Sequence, residues 1–368
     1  MIPVAEPLIT EHEIRLVNEA LASGWISSAG PFLDRFEQEW AAYCGMPNGI
    51  AVSNGSVALD VAVALLNLQP GDEIIMPTFT IISPAQSVVR AGGMPVLVDS
   101  DPANWQMDVQ QIEARITTRT RAILVVHIYG HPADMDPILE IARRHNLTVI
   151  EDAAEVHGAT YKGRRCGGLA DISTFSFYAN KLVTTGEGGM VLVRTQEMAE
   201  RARSLRNLCF QKQQRFLHDE MGHNFRLTNL QAALGVGQIS RMDAIVARKR
   251  EIAVTYRQML GGIHGLQLPI EEPWAKSVYW VFGLVFHDSL GLTAADLAQR
   301  MAAQGIETRP FFLGMHQQPV FQRMEFFLRE QYPVAELLAR QGLYIPSGLA
   351  ITAEQQQQVA KTLRECLA

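Results

Sequence analysis

The alternation of short apolar runs with helical stretches along residues 51–194 constrains this chain more than any other feature. Strand-like runs stand at Glu73–Met76, Pro95–Asp99, Ala122–Ile128 and Thr148–Asp152. Helix-like patterns fall at Val57–Leu68, Ser83–Ala91, Asp108–Ile116 and Met135–His145. Strands separated by helices of about 10–15 residues predict βαβ units and a mostly parallel sheet. Two further strands are expected at Ile172–Phe177 and Met190–Arg194. Thr10 and Glu13 have capping-box spacing ahead of a helix that Gly24 ends.

The proline-free stretch Asn229–Leu260 reads as one long helix joining a large domain, residues 1–240, to a smaller one, residues 241–368. In the second part the sequence predicts a strand over Val278–Phe286, a helix after Thr293, a loop over Arg309–Gln318 and a last helix over Thr352–Leu363. The glutamine run at 355–358 reads as a solvated face, and Gln211–Arg215 as a surface loop.

Composition narrows the class. The chain of 368 residues has a net charge of −6, which argues against binding nucleic acid through its backbone. Only 19% of residues are charged, which points to extensive burial including a subunit interface. No apolar run reaches the ~18 residues of a membrane span, and no signal peptide is visible at Met1–Glu6. The cysteines Cys44, Cys166, Cys209 and Cys366 are scattered, which suits reduced thiols and a cytoplasmic location. No His/Cys/carboxylate cluster has zinc spacing, so no metal is expected. His127 and His157 read as core histidines, and Trp25, Trp105 and Trp280 as packing residues.

Ligands of open α/β sheets bind beyond the carboxyl ends of strands. Asp152 ends one strand, Lys181 follows another, and Ser53-Asn54-Gly55-Ser56 turns a strand into a helix. Taken one at a time, these are a helix cap, a surface lysine and a turn. Together they suit pyridoxal 5′-phosphate (PLP), which needs a Schiff-base lysine, an acid at the pyridine nitrogen and a phosphate cradle. A helix N-terminus at Gly55-Ser56 offers free N–H groups to the phosphate. Asp152 would keep the ring nitrogen protonated. Lys181 would hold the cofactor and, once displaced, act as the base that moves a proton.

Ordered segments extend this pattern: Pro70-Gly71-Asp72-Glu73, Asp99-Ser100-Asp101-Pro102, Val126-His127-Ile128-Tyr129-Gly130, Glu151-Asp152-Ala153-Ala154, Ser176 through Lys181, Gly186-Glu187-Gly188-Gly189, and Gly222 through Thr228. On these segments the chain resembles the DegT/StrS-type sugar aminotransferases, PLP enzymes of the aspartate aminotransferase fold (fold type I). The resemblance implies an α/β architecture with a large, mostly parallel sheet of seven strands and a small C-terminal α+β domain. It implies Lys181 as the cofactor lysine, Asp152 at the pyridine nitrogen, Ser176, Gly55 and Ser56 around the phosphate, and Glu155 near the pyridoxal hydroxyl. It also implies a homodimer in which Asn224 reaches the neighbour's phosphate.

One departure stands out. Relatives often place an aromatic residue behind Pro77-Thr78-Phe79-Thr80 to stack on the ring, whereas here the position is Ile81. Either Ile81 or Phe79 is left to cover that face.

The intact lysine favours transamination over the dehydratase chemistry of relatives that carry histidine there. Segments at 180–189, 278–280, 308–319 and 345–349 resemble members that use glutamate to aminate C4 of GDP-4-keto-6-deoxy-mannose for O-antigen synthesis. The resemblance brings Trp25, Arg309 and His316 toward the nucleotide-sugar. Arg309 could clamp a pyrophosphate or form a domain salt bridge, and His316 could be site or scaffold. The alternatives are amination of a dTDP- or UDP-keto sugar and a non-catalytic regulator. A nicotinamide-dependent dehydrogenase is disfavoured by the missing GxGxxG turn.

Overall fold

The computed structural model describes residues 1–211, 213–214 and 216–367, so Lys212 and Arg215 of the polar stretch lie outside the described residues. The βαβ rhythm closes into one seven-stranded sheet. Its strands are β1 (Asn48–Val52), β2 (Glu73–Pro77), β3 (Met94–Val98), β4 (Thr120–Val126), β5 (Thr148–Asp152), β6 (Ile172–Ser176) and β7 (Gly189–Val193). The spatial order is β1-β7-β6-β5-β4-β2-β3. Only β7 runs antiparallel to its neighbours. Ala122 through Val126 are all buried, as a strand covered on both faces requires, which is why it reads as an unbroken apolar run.

The helices that matter for the site are α1 (Glu11–Ala22), α2 (Pro31–Cys44), α3 (Gly55–Ala64), α4 (Ser83–Arg90), α5 (Met135–His145), α6 (Gln196–Arg206), α7 (Asn229–Ile239) and α8 (Met242–Leu260). The capping box of Thr10 and Glu13 forms at the start of α1. Beyond α8 a four-stranded antiparallel sheet forms from β8 (Leu266–Gln267), β9 (Phe282–Phe286), β10 (Arg309–Pro310) and β11 (Gly342–Ile345), in the order β8-β9-β11-β10. Helices α9 (Ala294–Ala303), α10 (Pro319–Arg323), α11 (Pro333–Gln341) and α12 (Ala353–Leu367) accompany it.

Two hydrophobic cores result. The larger surrounds the seven-stranded sheet and takes in Phe311, Met315 and Leu338. The smaller unites Ile252 and Tyr256 of α8 with Phe282, Phe286, Leu343 and Leu363. The N-terminus joins the second core: Ile2 packs there and bridges to Ile306. Among the described residues no helix is long and apolar enough to cross a membrane.

Three expectations are corrected. The single helix over 229–260 is two, broken at Ser240-Arg241. Ser240 Oγ donates to the Gly237 carbonyl at 2.7 Å, Arg241 N closes a tight turn onto Gln238 O at 3.0 Å, and the Arg241 guanidinium is drawn to Glu13 at 2.7 Å. The helix expected at 108–116 is a pair of 3₁₀ turns, Val109–Gln111 and Glu113–Arg115. There Asp108 bonds Gln110 N and the Gln111 side chain, competing with an α-helical ladder. The glutamine run is not wholly solvated, since Gln356 is buried and donates to Ile252 O at 3.1 Å.

Candidate active site

The carboxyl ends of β5 and β6 and the β1–α3 turn converge. Lys181 Nζ lies 3.6 Å from Glu155 Oε1, and both side chains are nearly enclosed. Burial pushes the Lys181 ammonium down from its ordinary range, and the Glu155 and Asp152 charges oppose that shift. Burial likewise raises Glu155, to about 7, against the pull of Lys181 and of the Tyr129 N–H. That N–H donates to Glu155 Oε2 at 2.8 Å. Asp152 ends β5, buried, and accepts from Ala154 N at 3.1 Å. Its carboxyl is raised by burial, opposed by that N–H and by Lys181. A pyridinium N–H is a matched partner for a carboxylate in such a setting.

The phosphate end is set by α3. Asn54 caps it, accepting from Val57 N at 3.0 Å, and helix geometry leaves the Gly55 and Ser56 N–H groups without intrahelical acceptors. These donors, with the helix dipole, suit a dianion. A Cβ on Gly55 would sit 2.6 Å from Ser176 Cβ and 3.0 Å from Ser176 Oγ, so glycine is what lets the helix start approach β6. Ser56 Oγ lies 2.8 Å from Ser83 Oγ. The donor set, the acid and the amine fit PLP.

The remaining candidates separate. Asn224 is exposed on a loop tied to the β1 end, where Ser53 N donates to Phe225 O at 2.8 Å. Trp25 is 56% exposed, and its carbonyl accepts from Asn229 Nδ2 at 2.7 Å. Arg309 is exposed and paired with Glu307 at 2.5 Å, not across the domains. His316 is buried and fully engaged. Its Nδ1 lies 2.8 Å from Thr78 Oγ1 and its Nε2 lies 3.1 Å from Glu336 Oε1, so the structure places it in the scaffold behind the Thr78 turn. Phe79 is enclosed by Tyr129, Phe311 and Phe312, with ring centroids 5.9, 5.9 and 6.1 Å away. Ile81 is therefore the side chain of that turn left 45% exposed.

The expectation that Trp280 is packing only is corrected. Its ring lies under Lys181, with Nζ 3.5 Å from the centroid, and its Nε1 donates to Asn180 O at 2.8 Å. Sequence reasoning also missed Asn229, whose Oδ1 caps α2 through Phe32 N and Leu33 N. His127, Glu151 and Cys166 converge with potential ligand atoms within 4.8 Å. The Glu151 oxygens, however, are already taken by His127, Gly167 N, Leu169 N and Ser173 Oγ. His157 bonds Ser176 O at 2.9 Å, and Trp105 is buried against Phe311.

Comparison with known proteins agrees with this geometry. The chain is 39% identical over 367 residues to a GDP-perosamine synthase of Caulobacter vibrioides, covering 100% of this chain and 98% of that protein. It is 38% identical to one of Escherichia coli O157:H7, covering 99% and 98%. The crystal structure of DesV of S. venezuelae, in complex with a ketimine intermediate, superposes with a TM-score of 0.90 at 36% identity, covering 96% of this chain and 94% of that one. The fold is accordingly that of the fold type I sugar aminotransferases, which are PLP-dependent. With the family's sequence model matching residues 7–364 around the buried Lys181, the chain belongs to the DegT/DnrJ/EryC1/StrS aminotransferase family and is an aminotransferase.

Proposed function

We propose that this chain binds PLP through Lys181 and transfers the amino group of L-glutamate to C4 of GDP-4-keto-6-deoxy-D-mannose, giving GDP-perosamine and 2-oxoglutarate. The observation that carries the reading is the buried Lys181 amine, held between the Glu155 carboxylate and the Trp280 face. The choice of sugar rests on full-length similarity to two GDP-perosamine synthases.

PLP, when bound, supplies an electron sink for the bond broken at the amino-acid Cα. Asp152 binds and orients the ring end. The Gly55 and Ser56 N–H groups, with Ser176 Oγ, bind the phosphate end. Lys181 takes the proton from the glutamate Cα in one half-reaction and gives a proton to the sugar C4 in the other, and burial, which lowers its ammonium from the ordinary range, favours the free amine that a base requires. Glu155 shares the charge on Lys181 and would hold the hydroxyl side of the pyridoxal ring. Trp280 shields the amine from water, and Ile81 covers the open ring face. Arg309, on the exposed β10 edge, is offered to the pyrophosphate, and Trp25 to the sugar.

The active unit in this reading is a homodimer. Asn224 is exposed and within four residues of the exposed Met221, while Trp25 and Ile26 present apolar surface nearby in the loop that Asn229 anchors. The four cysteines are unpaired, which suits the reducing cytoplasm where sugar nucleotides for O-antigen are made. Incubating the purified protein with PLP, glutamate and a panel of GDP-, dTDP- and UDP-4-keto sugars tests the reading. An aminated GDP-sugar supports it, and product from another nucleotide alone contradicts it.

A further inference from the structure

The buried stripe of α8 runs through Ile245, Ile252, Ala253 and Tyr256, and Lys249 sits inside it. Lys249 has no carboxylate partner among the described residues. Its Nζ donates to the main-chain oxygens of Trp280 at 2.9 Å and Ser347 at 2.5 Å. A charge satisfied only by neutral carbonyls is costly to bury. Burial pushes this ammonium down to about 7, with Arg248 adding repulsion.

The position of Trp280 shows what this residue does. On one side the Trp280 carbonyl is taken by Lys249, and a Cβ on Gly130 would meet Trp280 N at 2.4 Å, so the backbone has little room to shift. On the other side the indole Nε1 is tied to Asn180 O, the residue before Lys181, and the ring face meets Lys181 Nζ at 3.5 Å. Lys181, Lys249 and Trp280 line one narrow cleft with Glu6, Thr184 and Gln238.

We infer that Lys249 is a positioning residue for Lys181: by fixing the Trp280 carbonyl it seats the indole face against the Lys181 amine and favours the protonated form of that amine. This rests on the reading that Lys181 carries the proton transfer. Every excursion of Lys181 to the ammonium form then meets an aromatic face already in place. The groups facing Lys181 are Glu155 and Asp152, with His157 in electrostatic range. Those around Lys249 are Arg248 on its own helix, Tyr256, whose hydroxyl bonds Pro346 O beside Ser347, and Glu6 across the cleft.

A double-mutant cycle tests the coupling. The readout is the pH midpoint at which Lys181 reacts with acetic anhydride, followed by mass spectrometry on the cofactor-free chain. It is paired with the pH titration of the visible band of the PLP-loaded chain. Lys249→Met lowers both midpoints by about half to one pH unit when Trp280 is present, and leaves them unmoved in a Trp280→Leu background. Lys249→Gln keeps one donor for the Trp280 carbonyl and gives a smaller fall. It serves in the same two backgrounds should Lys249→Met not fold. An equal shift in both backgrounds, a rise in midpoint, or no shift in either overturns the inference. A chain that takes up no PLP contradicts the proposed function. A chain that takes it up but shows no Lys249–Trp280 coupling contradicts only this inference.

Discussion

Lys181 Nζ and Glu155 Oε1 stand 3.6 Å apart in a buried pocket, and each holds the other's charge in place. Burial moves the two groups toward neutrality from opposite sides, Glu155 up and Lys181 down. Glu155→Gln removes the negative charge that most strongly opposes the fall of Lys181. The pH midpoint for Lys181 acetylation then drops by about one unit or more, while Glu155→Asp retains part of the effect. An unchanged midpoint in Glu155→Gln would show that the pair is not electrostatically coupled.

Gly55→Ala tests the phosphate cradle. The added methyl would lie 2.6 Å from Ser176 Cβ, so α3 and β6 must separate. We expect a loss of stability of about 1–3 kcal/mol and a fall of tenfold or more in PLP affinity, read by equilibrium titration of the visible band. Ser176→Ala, which removes only a hydroxyl, weakens PLP binding without that loss of stability.

His157 sets an acid limit. Burial first, and Lys181 second, depress its imidazolium to about 3. Its folded pKa lies below the ordinary 6.5, so its contribution to stability is complete above about 6.5 and is lost as pH falls toward about 3. The slope from this group is at most about 1.4 kcal/mol per pH unit. Denaturant titrations at several pH values should show a shallower acid limb for His157→Gln than for the parent chain.

His316 and Arg309 should behave oppositely. His316→Phe strands Thr78 Oγ1 and removes a donor from Glu336. It should cost about 1–3 kcal/mol of stability while leaving KM for the nucleotide-sugar within about threefold. Arg309→Ala breaks only an exposed pair, so stability stays within about 0.5 kcal/mol and KM rises. A stable His316→Phe with a raised KM would return that residue to the substrate.

The sheet was legible because its central strands, such as Glu73–Pro77 and Thr120–Val126, carry apolar runs and helical patterns separate most of the strands, and the site was legible because Asp152, Lys181 and Gly55 mark strand ends. What escaped depended on side chains reaching across the fold. The break at Ser240-Arg241 combines short-range bonds onto Gly237 and Gln238 with the pull of Glu13, more than two hundred residues earlier in the chain, and that last contact has no local signature. Trp280 looked like packing because its partner lies on a different strand end. Lys249 did leave a local trace, a lone charge in the apolar stripe of α8. His316 stayed open between site and scaffold in the sequence because a histidine in a polar loop looks available, whereas its two nitrogens are engaged by Thr78 and Glu336.

Above all, the proposed function requires that an amino group pass from glutamate, through the Lys181 pocket, to a GDP-linked 4-keto sugar. Isotopically labelled glutamate, supplied to the PLP-loaded protein with GDP-4-keto-6-deoxy-mannose, measures this most directly by mass spectrometry of the sugar nucleotide. Label is expected on GDP-perosamine with the parent protein and none with Lys181→Ala. An unlabelled sugar with the parent protein, or equal labelling with Lys181→Ala, would contradict it.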